Sequence, residues 1–115
     1  MTTAILDHDA TAHSAAFQAL PLDIREDLEW MLNRRSNGWH GGTICENREA
    51  AQDFDRHSNS VRIDIDRLSA GHHAGKVCVT IEALRPASMG RRRWMYFDDA
   101  VEAIDYMAAQ IARFA

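Results

Sequence analysis

The chain has 115 residues and a formal charge of −4, from 17 acids against 13 bases. Apolar residues make up 46% and charged ones 26%, which fits one globular domain with its own core and argues against wholesale disorder. Residues 1–60 carry ten acids and five bases, and residues 61–115 seven acids and eight bases. No whole surface is therefore basic enough to hold a polyanion by counterion release. Twelve of the 13 bases are arginine and 18 residues are alanine, a balance expected of a GC-rich bacterial genome or its phages.

Two cysteines, Cys45 and Cys78, allow one bridge at most and no disulfide framework. The first ten residues have neither the basic nor the apolar region of a secretory signal. The longest apolar run, such as Tyr106–Ala109, is four residues, too short to span a membrane. A cytoplasmic location is the expectation. Residues 1–12 are small and polar and read as a disordered N-terminus, with residues 13–115 forming a single α+β domain.

A short helical stretch is predicted from Ser14 to Leu20. Pro21-Leu22-Asp23 then opens a second helix, with Asp23 and Glu26 spaced as a capping box. Ile24, Leu28, Met31 and Leu32 recur at helical period and form its buried stripe. Acids fill the first turns and Arg34 and Arg35 the last, both favourable to the helix dipole, and Asn37-Gly38 supplies the stop. Trp39-His40-Gly41-Gly42 reads as loop because glycine is poor in regular elements. Thr43 with Glu46 suggests a second capping box opening a short helix over Ile44–Arg56, ended by His57-Ser58-Asn59-Ser60.

From Val61 the apolar period falls to two. Val61, Ile63 and Ile65 alternate with Arg62, Asp64 and Asp66, and Val77, Val79 and Ile81 with Cys78, Thr80 and Glu82. A mobile hairpin loop containing Gly71, His72, His73 and Gly75 joins these strands. After a turn at Pro86–Gly90, Arg92–Phe97 makes a third, with Trp94 and Tyr96 on one face and Met95 and Phe97 on the other. Asp99 with Glu102 opens a last helix whose Val101, Ile104, Ala108, Ile111 and Ala115 face inward, flanked by Met107 and Phe114. The expected architecture is α+β: N-terminal helices, a three-stranded antiparallel sheet and a C-terminal helix packed on one face.

Few residues are spaced for chemistry. His40, Cys45, His57, His72, His73 and Cys78 lack the close ligand pairs of structural zinc sites, and His8 and His13 fall in the N-terminal segment. No metal and no cofactor is expected. Cys45 near a helix N-terminus, with His40 or His57 as base, is the one arrangement that would suit a thiol enzyme. No serine-hydrolase elbow, Walker loop or dinucleotide fingerprint occurs. Asp64 with Asp66 reads as the solvent face of an edge strand, and Asp98 with Asp99 as helix caps.

Two surfaces stand out. Arg91-Arg92-Arg93-Trp94-Met95-Tyr96-Phe97 interleaves bases and aromatics, the pattern of single-strand nucleic-acid platforms, with Arg91, Arg92 and Arg93 on phosphates and Trp94 or Tyr96 under bases. It is similar to the basic–aromatic strand of RNA-recognition motifs but lacks the glycine after the first base. The helix–three strands–helix order of residues 44–114 resembles double-stranded-RNA-binding domains, yet its last helix opens with acids where they carry lysines. Four acids, Asp98, Asp99, Glu102 and Asp105, also follow the arginines and offer to neutralise them.

The other surface is the acidic helix. Its outer side presents Glu26, Glu29 and Trp30, and the following loop Trp39, residue types common in interface hot spots. The principal expectation is a non-enzymatic interaction protein that binds and inhibits a protein or nucleoprotein complex, in the manner of immunity proteins, antitoxins or anti-CRISPR proteins. A nucleic-acid-binding module is the alternative, and a thiol or metal enzyme the second. Composition sets no oligomeric state.

Overall fold

The computed structural model describes residues 14–33, 38–85 and 89–115; the side chains of residues 30–33, 38–40, 42–44 and 89 lie outside that description. In chain order the elements are α1 (Ala15–Ala19), α2 (Leu22–Asn33), β1 (Gly38–Cys45), α3 (Arg48–Phe54), β2 (Ser60–Arg67), β3 (Val77–Leu84), β4 (Met89–Phe97) and α4 (Ala100–Phe114). The expected antiparallel strands β2, β3 and β4 and the C-terminal helix against them are present. β1 adds a fourth strand, and the sheet order is β1-β2-β3-β4.

Alternation along the strands decides which face is buried. Val61, Ile63 and Ile65 of β2 and Val77, Val79 and Ile81 of β3 have no exposed surface, while Arg62, Asp64 and Asp66 point the other way and are half-buried. The register places Ile63 opposite Ile81 and Ile65 opposite Val79, so the apolar rows align across the sheet. β2 is consequently an inner strand, not the edge strand that Asp64 and Asp66 suggest.

Helix α4 lies over this apolar face and packs against all four strands, with α1 and α3 beside it. Its buried residues are Ala100, Ala103, Ile104, Met107, Ile111 and Phe114, whereas Val101 and Ala108 are half-buried and Ala115 is exposed. The stripe is thus rotated from the expected one. Met107 and Phe114 carry more apolar area than Ala108 and Ala115, so turning them inward removes more surface from water. Asp99 caps the helix by accepting from the Val101 N–H at 3.0 Å.

The N-terminal helices supply Phe17, Leu20, Ile24 and Leu28 to the same core. Ser14 caps α1, accepting from the Phe17 N–H. Helix α2 begins one residue before Asp23, which therefore sits in the first turn and favours the dipole instead of capping. The expected stripe holds at Ile24 and Leu28; the Met31 and Leu32 side chains, the end at Arg34, Arg35 and Asn37, and residues 1–13 lie outside the described residues.

The largest departure concerns residues 38–56. Gly38–Cys45 pairs with β2 through Trp39 opposite Ile65 and His40 opposite Asp64, with register shifts between His40 and Cys45. The shifts fall where Gly41 and Gly42 sit, as glycines in a strand commonly mark bulges. The expected loop is an irregular edge strand. Helix α3 starts after Asn47, whose side chain accepts from the Ala50 N–H at 3.0 Å, so Asn47 replaces the Thr43–Glu46 box. The loop 68–76, expected to be mobile, closes with hydrogen bonds from the Leu68 N–H to the Lys76 carbonyl and from the Gly75 N–H to the Leu68 carbonyl. Gly71 and Gly75 both adopt φ 86°, the left-handed region this turn needs.

Candidate functional site

Strand β4 holds the basic–aromatic run, and its start is fixed by a buried carboxylate. Asp55, at the end of α3, accepts the Arg91 N–H at 2.9 Å, the His57 N–H at 3.2 Å and the Arg85 guanidinium through both oxygens at 2.6 and 2.7 Å. These donors favour the charged form, the Arg91 N–H most, and hold the Asp55 carboxyl down to about 2 although burial opposes them. One residue earlier, Gly90 lies so close to the Ala83 backbone that any Cβ there would collide with it. Opposite this glycine the β3–β4 register shifts between Glu82 and Leu84.

From Gly90 onward the arginines part company. Arg91 donates to the Phe54 carbonyl at 3.3 Å, and the Arg91 and Arg93 guanidinium groups lie 5.4 and 5.5 Å from the Phe54 ring centroid, on the side that carries the helices. Arg92 points to the opposite face and pairs with Glu82 at 2.8 Å. The acids after β4 do not neutralise this run: Asp98 pairs with Lys76 at 2.7 Å and Asp99 caps α4. The three arginines therefore do not share one phosphate-binding face.

Trp94 and Tyr96 share the face of Arg92, and among the described residues no helix covers it. Trp94 is 50% exposed and Tyr96 39%, an unusual display for large rings on neighbouring positions of one strand. His73, from the β2–β3 loop, stacks on Tyr96 with centroids 3.7 Å apart and planes 11° from parallel. The strand register extends each ring into a row across the sheet. Tyr96 lies beside Cys78 and Asp66, and Trp94 beside Thr80 and Asp64. Arg92 lies beside Glu82 and Arg62, and Arg62 pairs with Asp64 at 3.3 Å. The face is an aromatic pair at one edge, two carboxylates two strands away, and arginines already engaged by acids.

The remaining candidates are dispersed. Glu26 and Glu29 are exposed on α2, while the side chains of Trp30, Trp39 and His40 lie outside the described residues. Cys45 ends β1 in the core, its Sγ 3.6 Å from the Ile111 carbonyl, and burial pushes its thiol up to about 11. This is opposite to the thiolate-favouring helix N-terminus expected from sequence, because the helix starts later and the sulfur faces the core. Cys78 is also raised, by burial first and by Asp66 in the same direction. Both thiols are free. His57 is exposed and accepts from Arg56 at 3.1 Å. No group of three or more potential metal ligands gathers among the described residues. An apolar crevice of about 170 Å³ between α1 and α4, lined by Leu20, Pro21, Ile111 and alanines, offers no polar side chain.

Sequence reasoning missed Asp55 and the stacking of His73 on Tyr96. Neither has a local signal: Asp55 meets Arg85 and Arg91 from 30 and 36 residues away, and His73 reaches Tyr96 only through the fold of its loop. No helix among the described residues is long and apolar enough to cross a membrane. Comparison with protein-family models, curated proteins and solved structures finds no match for this chain.

Proposed function

We propose that this is a non-enzymatic interaction protein of a bacterial or phage cytoplasm that inhibits or regulates a protein or nucleoprotein complex, and that it docks through the uncovered sheet face. The observation that carries this reading is the half-exposed Trp94 and Tyr96 on a face that no described helix covers. Rigid aromatic anchors on a regular element are the residue types that dominate interface energies. The same face holds Asp64, Asp66 and Glu82 against Arg62 and Arg92, an excess of one acid. This balance suits a partner surface rich in lysine and arginine, whose cations stack on the rings while the carboxylates steer approach.

A nucleic-acid ligand fits the geometry less well. Arg91 and Arg93 lie on the helix side and Arg92 is held by Glu82, which leaves the rings without a row of phosphate contacts. Two free, buried thiols suit a reducing compartment.

The test is site-specific photo-crosslinking in the source cells. Benzoylphenylalanine replaces Thr80, at the centre of the open face, or Ala109, exposed on α4. A single protein adduct from position 80, absent from position 109 and lost with Trp94→Ala, is the expected result. Adducts only from position 109, or adducts that nuclease removes, would overturn the reading.

A further inference from the structure

The free edge of β4 is complementary to itself. β4 is the last strand of the sheet, so the outward N–H and C=O groups of its backbone meet no strand among the described residues. Long, regular edges with exposed apolar side chains are templates for another strand, and here Trp94, Met95 and Tyr96 are all more than a third exposed. The residues from Arg91 to Asp99 run three arginines, four apolar residues, two aspartates. Laid antiparallel on a second copy about Met95, this segment brings Arg91 opposite Asp99, Arg92 opposite Asp98, Arg93 opposite Phe97 and Trp94 opposite Tyr96.

The pairing also keeps faces consistent. A two-fold axis through Met95, normal to the sheet, matches residues of the same parity, so Arg92, Trp94, Tyr96 and Asp98 meet their counterparts on the uncovered face. Met95 meets its own copy on the helix side. Two cross-strand ion pairs then flank two ring–ring pairs, which is favourable where opposite charges and aromatics stand directly opposed. Arg92 is bound to Glu82 through two nitrogens, and a guanidinium has a third face for a further carboxylate. Asp98 holds Lys76 with one oxygen while its side chain remains 84% exposed.

We propose that the protein forms a homodimer by antiparallel β4–β4 pairing centred on Met95, giving one continuous eight-stranded sheet. This goes beyond the binding reading and does not depend on it, since the uncovered face stays open to solvent in the dimer. A single strand pair buries less than a standard interface, so the association is expected to be concentration-dependent.

The test exploits the two-fold symmetry. Arg92→Asp alone sets two aspartates against two aspartates, and Asp98→Arg alone sets arginine against arginine; an equimolar mixture of the two variants restores both pairs. Sedimentation at low salt is expected to give a concentration-dependent dimer for the native chain, monomers for each variant, and dimers again for the mixture, with circular dichroism confirming the fold of each. Met95→Cys, which leaves every charge in place, should form an interchain disulfide under mild oxidation. A native chain that stays monomeric, variants that dimerise like it, or Met95→Cys that fails to cross-link would overturn the proposal.

Discussion

On the face that α4 covers, Ile63, Ile65, Val79 and Ile81 are wholly buried; one residue along the same strands, the opposite face carries Arg62, Asp64, Asp66, Thr80, Glu82, Trp94 and Tyr96. The backbone and register are common to both, and only side-chain parity separates them. The covered face aligns apolar side chains across β2 and β3 beneath α4 and sets stability. The uncovered face has charges paired within the sheet and a half-exposed Trp94 ring, so truncating its exposed residues costs folding little. A two-residue period thus lets one set of strands fold the domain with one half of its side chains and leave the other half for recognition.

The sharpest way to break this contrast is to truncate one residue on each face. Ile63→Ala, in the covered core, is expected to cost about 2–5 kcal/mol in urea denaturation, whereas Thr80→Ala on the uncovered face should stay within about 1 kcal/mol. Equal losses at the two positions would mean that both faces are core.

Asp55 tests the junction that seats β4 between the faces. Its carboxyl, held down to about 2 in the folded state, lies below the ordinary value of 3.8. The folded state therefore gains from this ionisation at pH values above about 4 and loses that gain as pH falls toward 2. Asp55→Asn should lower the melting temperature at neutral pH, and the gap to the native chain should narrow between pH 4 and 2. A gap independent of pH would show that the charge contributes nothing.

Gly90→Ala follows, expected to cost about 1–3 kcal/mol because the added methyl meets the Ala83 backbone. The loss should appear in thermal unfolding while Gly75→Ala, with open space around its Cβ but φ 86°, loses about 1 kcal/mol. The smallest effect concerns the thiols. With Cys45 raised to about 11 and Cys78 raised as well, a thiol reagent at pH 8 should label the folded chain slowly and both cysteines fully after unfolding. Rapid native labelling of Cys45 would contradict its burial.

The strands β2, β3 and β4 and the helix α4 were legible because alternation and capping are local signals. So was the split of Trp94 and Tyr96 from Met95 and Phe97. The split of Arg91 and Arg93 from Arg92 follows from the same parity, yet a run of like charges invites reading as one patch. β1 was hidden by Gly41 and Gly42, which suppress strand propensity; its pairing to β2 is a tertiary effect that composition does not carry. The rotation of α4 was decided by volume at Met107 and Phe114 once two apolar stripes competed. Asp55 and His73 needed partners far along the chain. Of the acidic helix, Glu26 and Glu29 are exposed as read.

The most direct test of the division between faces is hydroxyl-radical footprinting of the chain, purified and in extract of its source cells, at matched concentration. Leu22, 60% exposed on α2, serves as the reference away from the sheet. Strong protection of Trp94 and Tyr96 in extract with Leu22 still oxidised is the result this account predicts. Unchanged oxidation of Trp94 and Tyr96 alongside protection of Leu22 would contradict it, and would move recognition from the uncovered sheet face to the acidic helix.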